Sequence, residues 1–500
     1  MGPARANGQR HVNLIPLILA AEDRKAAATR PVGLVSVLSV DKELLLKGFL
    51  GELPKDVASR LAKAVEVDRL IGGFALPHDE ILRALRPQLK GSGSPTRRVP
   101  TPQRLFCRPF SDLLVSGERK EKQKGRIARS SVDTVWTWLA QELMPARHHK
   151  LNASLSEAVL GDNEDQIERD LRQFWSEASA ALKAALADEQ QRMVAAQKLG
   201  GAAIAADAAE MARMLADAQT VTEIQTQLPK PITQLTQDDI WFLCDLIDRV
   251  TPSNPDFVPY IALIVLGRLE RPWEVLRLVT AISRKSTDIV ISGTDMDIVG
   301  ELLFSDLDVY AANIQSARPI NFDPDQVLAS LAGFTELSSG MIKELGIRRD
   351  GKWGQRLAKD RAAVAQVMES LLQRARKEIL AALPSHKGLA FAKRQRGLDL
   401  SRPIDPDRVA RATRYAQLIA HSRPFAVAGA FSSRLMKVTD ETALALRTYG
   451  EDILSELRGT APESRLRAGE HLKVMLSLCE LVLGGSETDF LRRRARVPAA

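Results

Sequence analysis

The sequence predicts a mainly α protein, built as a multi-subdomain helical bundle or irregular helical array, with a minor β element near the N-terminus. Three observations predict it. Aromatic residues make up only 5% of the 500-residue chain, while Ala, Leu, Arg and Glu are plentiful; such unbranched side chains lose little rotamer freedom in a helix. From residue 131 onward, apolar positions recur at three- and four-residue spacing. Ser, Thr or Asp stands before many of these runs, and Gly or Pro after them, as helix starts and stops require. At 45% hydrophobic and 26% charged residues, the chain is ordinary for a folded protein. Its length exceeds what one core usually organises, so roughly two to four subdomains are expected.

Residues 1–90 read as a mixed or helical N-terminal region. PVGLVSVLSV (31–40) is strand-like, and LPKDVASRLAKAVEVDRLIGGF is a helical pattern stopped by Gly72 and Gly73. An apolar run near the N-terminus is interrupted by Asn13 and Pro16 and followed by Asp23 and Lys25, which argues against a cleaved leader. The apolar run at 257–267 is too short to span a bilayer, so no membrane span is expected. Cys107, Cys244 and Cys479 are odd in number and far apart. They match neither a disulfide framework nor a zinc site, and a reducing, cytoplasmic location is expected. In LPHDE, His78-Asp79 stands where Pro77 opens a helix, and that reading is preferred to half of a metal pair.

Residues 91–130 read as a basic linker or docking strip rich in Pro and aromatics. RVPTPQRLFCRPFSDLLV (98–115) should hold extended or polyproline geometry before each proline, at Val99, Thr101 and Arg108, and Pro109 should then begin a short helix through Phe110 and Leu114. From that stiff backbone Leu105, Phe106 and Phe110 would dock in an apolar groove, either this chain's own or a protein partner's. Cys107 lies between Arg104 and Arg108, a setting that favours a thiolate, but no histidine can be paired with it.

Residues 131–235 form a long-helix region. The stretch 162–199 is expected to be the longest uninterrupted helix, broken by Gly200-Gly201, and His148-His149 to lie in a solvated loop after Pro145. Residues 236–345 form an acidic helical subdomain: 236–308 carries six Lys/Arg against thirteen acids, net −7. On 236–250, Ile240, Leu243, Cys244, Ile247 and Val250 share a face. STDIVISG (286–293) is the best strand candidate. The cluster Asp295, Asp297, Glu301, Asp306 and Asp308 has oxygen ligands for a divalent cation, yet its spacing suits helix capping better.

Residues 346–500 form a basic C-terminal helical subdomain. The chain is +8 overall, and the excess is sorted into blocks. Residues 91–130 hold ten Lys/Arg against three acids, net +7, and 343–396 hold fourteen against five, net +9. Two segments combine cations with rings, as polyanion binding needs. One is Arg97, Arg98, Arg104, Arg108, Lys122, Lys124 and Arg126 with the neighbouring phenylalanines. The other is Arg348, Arg349, Lys352 and Arg356 around Trp353. The acidic block could equally neutralise them from within.

The sequence has no P-loop, no HExxH, no GxSxG, no GxGxxG and no EF-hand loop. No catalytic residue, metal ligand or cofactor is assigned from it. The expected function is therefore that of a protein-interaction or scaffold protein with another protein as partner. Nucleic-acid binding through 97–129 and 346–361 is the alternative, and an enzyme with an unrecognised site the weaker one.

Overall fold

The structure is a computed structural model that describes residues 40–71, 76–89, 101–117, 122–160, 163–283, 294–345, 351–385, 398–459 and 462–496. The first helices are α1 (Val40–Gly51), α2 (Lys55–Ile71), α3 (His78–Leu89) and the five-residue α4 (Pro102–Phe106). A 3-10 turn (Arg108–Leu113) leads into β1 (Leu114–Val115), and β2 (Ile127–Ala128) precedes α5 (Arg129–Trp138), which ends in a π turn (Leu139–Leu143). Next come α6 (Pro145–Leu160), α7 (Glu164–Ala185), α8 (Glu189–Leu199), α9 (Ala202–Ala216), α10 (Ala218–Gln227) and α11 (Gln237–Val250). Then follow α12 (Val258–Leu266), α13 (Val275–Ser283), α14 (Asp297–Ser316), α15 (Pro324–Glu344) and α16 (Lys352–Ala381). The last are α17 (Pro406–His421), α18 (Ser432–Gly459), α19 (Pro462–Val482) and α20 (Gly485–Arg496). The mainly α array is what the composition and spacing predict.

Contacts divide the chain into two compact units, Met1–Phe106 with Ala146–Leu171, and Cys107–Pro145 with Arg172–Ala500. The basic strip is thus shared between them, with the division falling between Phe106 and Cys107. In the first unit α1, α2 and α3 enclose a small core of Leu50, Ala58, Val65, Ile81 and Leu85. His78 opens α3 and pairs with Asp68 of α2 at 2.8 Å, a helix-to-helix contact rather than half of a metal site.

In the second unit α12 is buried on every side from Val258 to Val265, the signature of a helix at the centre of its core. It packs on the 3-10 turn and on α14. The turn approaches so closely that a Cβ on Gly267 would lie 2.0 Å from the Asp112 carbonyl oxygen. On α11 the predicted face is buried at Ile240, Leu243, Ile247 and Val250, joined by Leu246, with Cys244 only half-buried. Thr236 and Asp239 close a capping box at its start. Helices α16 and α17 pack together, as do α18, α19 and α20 in turn. The stripe on α16 is buried at Val364, Met368, Leu371, Leu372, Ala375 and Ile379.

Several expectations are corrected. The strip is not extended at Pro102, which stands in the first turn of a short helix, where a missing N–H costs nothing and the fixed φ is already helical; at Pro109 the expected short helical segment is present as the 3-10 turn. The same logic places Pro145 at the head of α6, so His148 and His149 lie in a helix rather than a loop. The stretch 162–199 is two helices, because Asp188 caps a new one by accepting from the Gln191 N–H. The longest described helix is instead α16, with 30 residues. Leu114 and Val115 pair in parallel with Ile127 and Ala128, a ladder that the sequence reading did not anticipate. Of the strand candidates, Val40 begins α1, while 31–39 and 286–293 lie outside the described residues.

Candidate functional site

The predicted site residues fall into an interior group and an ion-paired group. Leu105, Phe106 and Phe110 are buried in the chain's own interior, the last two completely, so none of these side chains is presented to a separate protein. Trp353 is also buried. Its ring packs edge-on against Phe304, 6.0 Å between centroids, and its Nε1–H donates to Asp297 Oδ1 at 3.2 Å. A Cβ on Gly300 would fall 1.9 Å from that ring, so the glycine is what admits the indole. Stacking on a nucleobase is not open to this tryptophan.

The cations around Trp353 are held by the acids of α14. Lys352 Nζ lies 3.1 Å from Asp297 Oδ2 and 3.0 Å from Glu301 Oε1. Arg356 donates to Glu301 Oε2 at 2.9 Å and to Asp308 Oδ2 at 2.7 Å, with its guanidinium 4.6 Å from the Phe304 centroid. Burial pulls the Glu301 carboxyl upward, but the hydrogen bonds and charges of Lys352 and Arg356 together hold it below its ordinary value. Of the carboxylates that resembled cation ligands, Asp297, Glu301 and Asp308 thus neutralise basic side chains. Among the described residues no group of three or more His, Cys, Asp or Glu is placed to hold a metal ion.

A second node joins the strip to the same helix and to α9. Arg126 forks onto Asp306, Nη1 to Oδ1 at 2.8 Å and Nη2 to Oδ2 at 2.6 Å, while Gln123 donates to the Ser305 hydroxyl. Lys122 Nζ donates to Glu210 Oε2 at 2.6 Å and lies 2.7 Å from Asp207 Oδ1, close in distance without hydrogen-bond alignment. The Gly125 N–H donates to Glu210 Oε1 at 2.7 Å, and the Ser131 hydroxyl to Asp207 Oδ2 at 2.6 Å. Burial raises the Glu210 carboxyl, with Lys122 and the Gly125 N–H opposing it. Sequence reasoning missed this pair. Its signal was present: two carboxylates three residues apart inside the Ala- and Met-rich AADAAEMARM, where no other side chain has charge to solvate until Arg213.

A third node surrounds Asp112. Arg268 Nη1 donates to its Oδ2 at 2.9 Å, Lys230 Nζ to Oδ1 at 2.7 Å and Gln225 Nε2 to Oδ2 at 3.0 Å. Beside these nodes runs a cleft of about 270 Å³, walled by Leu113, Val115, Leu263, Leu266 and Leu302 and bordered by Arg126 and Asp306. Its bordering ionic groups are already engaged with each other or with Asp112's partners, so the cleft offers apolar surface rather than a reactive group.

Cys107 does not fit the thiolate reading. Burial above all, with Asp133 adding to it and Arg129 opposing, pushes its thiol up to about 12. Arg104 and Lys124 face solvent, and Arg108 lies 5.8 Å from the Trp175 ring centroid. Arg97, Arg98, Arg348 and Arg349 lie outside the described residues. No family model matches this chain, and no curated protein or solved structure matches it. Its function is therefore argued from its own side chains.

Proposed function

We propose that this chain is a helical protein-interaction protein acting in the cytoplasm. The observation that supports it is a set of large apolar side chains left in solvent on two helices that pack together. Met436 and Leu444 on α18 are each 65% exposed, and Leu466 on α19 is 72% exposed. Surface positions of paired helices normally go to polar side chains; apolar ones in their place suit contact with another macromolecule. The three free thiols suit a reducing compartment. Among the described residues no helix is long and apolar enough to cross a membrane.

Nucleic-acid binding receives less support, because Lys122, Arg126, Lys352 and Arg356 are engaged by carboxylates of the same chain. The test is affinity capture with the full chain and a Leu444→Asp/Leu466→Asp variant, each with and without nuclease. A stoichiometric protein retained by the parent, resistant to nuclease and lost from the variant, is the expected result. Nuclease-sensitive material bound equally by both would favour the polyanion alternative instead.

A further inference from the structure

The acidic block divides into two halves with different fates. The acids of α14 are neutralised by Lys352, Arg356 and Arg126. Those of α11 are not. On that helix Asp239 closes the capping box, and the one cation, Arg249, is drawn away to Glu223 of α10 at 2.5 Å. Asp238, Asp245 and Asp248 remain exposed, with Asp245 also within the field of Arg249. They stand at i, i+7 and i+10, and Trp241 stands at i+3, which puts all four on one stripe opposite the buried face. Trp241 is 61% exposed, the one tryptophan among those described that has most of its surface in water.

Cys244 is raised by burial first, and then by Asp248 and Asp245. An indole face is the aromatic surface that attracts a cation best, and carboxylates on both sides of it would hold the rest of such a group by charge-assisted hydrogen bonds. Exposed tryptophans ringed by charge are also where interface energy concentrates. A nucleic acid or an acidic lipid surface would be repelled by three carboxylates.

We propose that the Asp238–Trp241–Asp245–Asp248 face of α11 is a docking surface for an arginine- or lysine-bearing segment of a partner protein, with one cationic side chain lying over the Trp241 ring. This rests on the interaction-protein reading and adds a partner chemistry on a helix other than α18 and α19. The occupant is chosen by charge complementarity: an acidic stripe with an aromatic centre, whose one neighbouring cation, Arg249, is shared with Glu223.

The test is titration calorimetry of the full chain with a synthetic twelve-residue peptide carrying Arg at i and i+4, against its Glu-for-Arg counterpart, over a salt series. Binding of the Arg peptide alone, weakening as salt rises, is expected. Trp241→Ala should weaken it at least fivefold and Asp245→Asn/Asp248→Asn at least tenfold, while Trp241→Phe retains part of it and Glu369→Gln none of the loss. Equal binding by the Glu peptide, or affinity unchanged by Trp241→Ala, overturns the proposal. So does concentration-dependent self-association that Trp241→Ala abolishes, since the occupant would then be a second copy. A protein captured through Leu444 and Leu466, together with no binding of the Arg peptide, would leave the interaction reading standing while this inference fails.

Discussion

Arg268 and Asp112, 156 residues apart in the chain, meet in the interior of the second unit. Arg268 Nη1 lies 2.9 and 3.2 Å from the two carboxylate oxygens, and the side chains keep only 8% and 1% of their surface. Nη2 donates at 2.8 Å to the Leu228 carbonyl, so the guanidinium also fixes the chain that leads out of α10. A pair this deep gives little net stability when whole and a large penalty when halved.

Asp112→Ala should therefore lower stability by about 3–5 kcal/mol, read as a shift in the urea midpoint followed by tryptophan fluorescence. Lys230, which reaches the same carboxylate from a half-exposed position, provides the contrast. Lys230→Gln should cost under about 1 kcal/mol, as solvent-screened pairs do. Equal effects from the two would contradict the geometry of the node.

Phe110→Ala should destabilise by about 3–5 kcal/mol, the range for removing a fully buried aromatic ring. Phe110 has no exposed surface, so the loss should appear in thermal unfolding. A folded variant of parental stability that has merely lost a bound protein would mean that the ring lies at an interface.

His471 sets a pH dependence. It lies buried on α19 with Nδ1 lacking a partner. Burial depresses its ionisation below the usual 6.5, against the Arg402 backbone contact and the charges of Glu470 and Asp399. A base with a depressed folded value stays neutral while the unfolded chain takes a proton. Its contribution is present above pH 6.5 and is lost as the pH falls through the folded value. The parent's melting temperature should decline over that window, and His471→Gln should flatten the decline. A parallel profile would place the titration elsewhere.

Cys107, raised to about 12 from an ordinary 9.0, should carry roughly a thousandfold less thiolate than a free thiol at pH 8. Maleimide labelling followed by mass spectrometry should find it slow in the folded chain and fast in urea. Rapid labelling in the native state would contradict the burial that raises it.

The fold was largely legible because helix periodicity and capping are local. Thr236 with Asp239, and the stripe from Val364 to Ile379, could be read from a dozen residues each. Prolines were harder: the same residue ends one helix and begins the next, and Pro145 was read as a break though it opens a helix, while at Pro109 the start of a short helical segment was legible. The basic blocks could be counted, but the partners described above lie 48 to 180 residues away. Local sequence says how much charge a segment carries, and only the tertiary fold says which carboxylate meets it. Asp207 and Glu210 stood out as carboxylates in an apolar stretch, but what they meet did not, since the Lys122 and Gly125 partners of Glu210 sit 88 and 85 residues upstream.

The division of the strip between two units has a consequence for synthesis. The segment Cys107–Pro145 interrupts the first unit, which is completed by Ala146–Leu171. As the chain leaves the ribosome, the first unit can close once residue 171 has emerged. The interrupting segment then waits as an open loop, with Arg126 unpaired until Asp306 arrives 180 residues later. At ordinary elongation rates that interval is on the order of ten to forty seconds, although α9 and α10, on which the turn carrying Phe110 and Leu113 packs, emerge earlier within it.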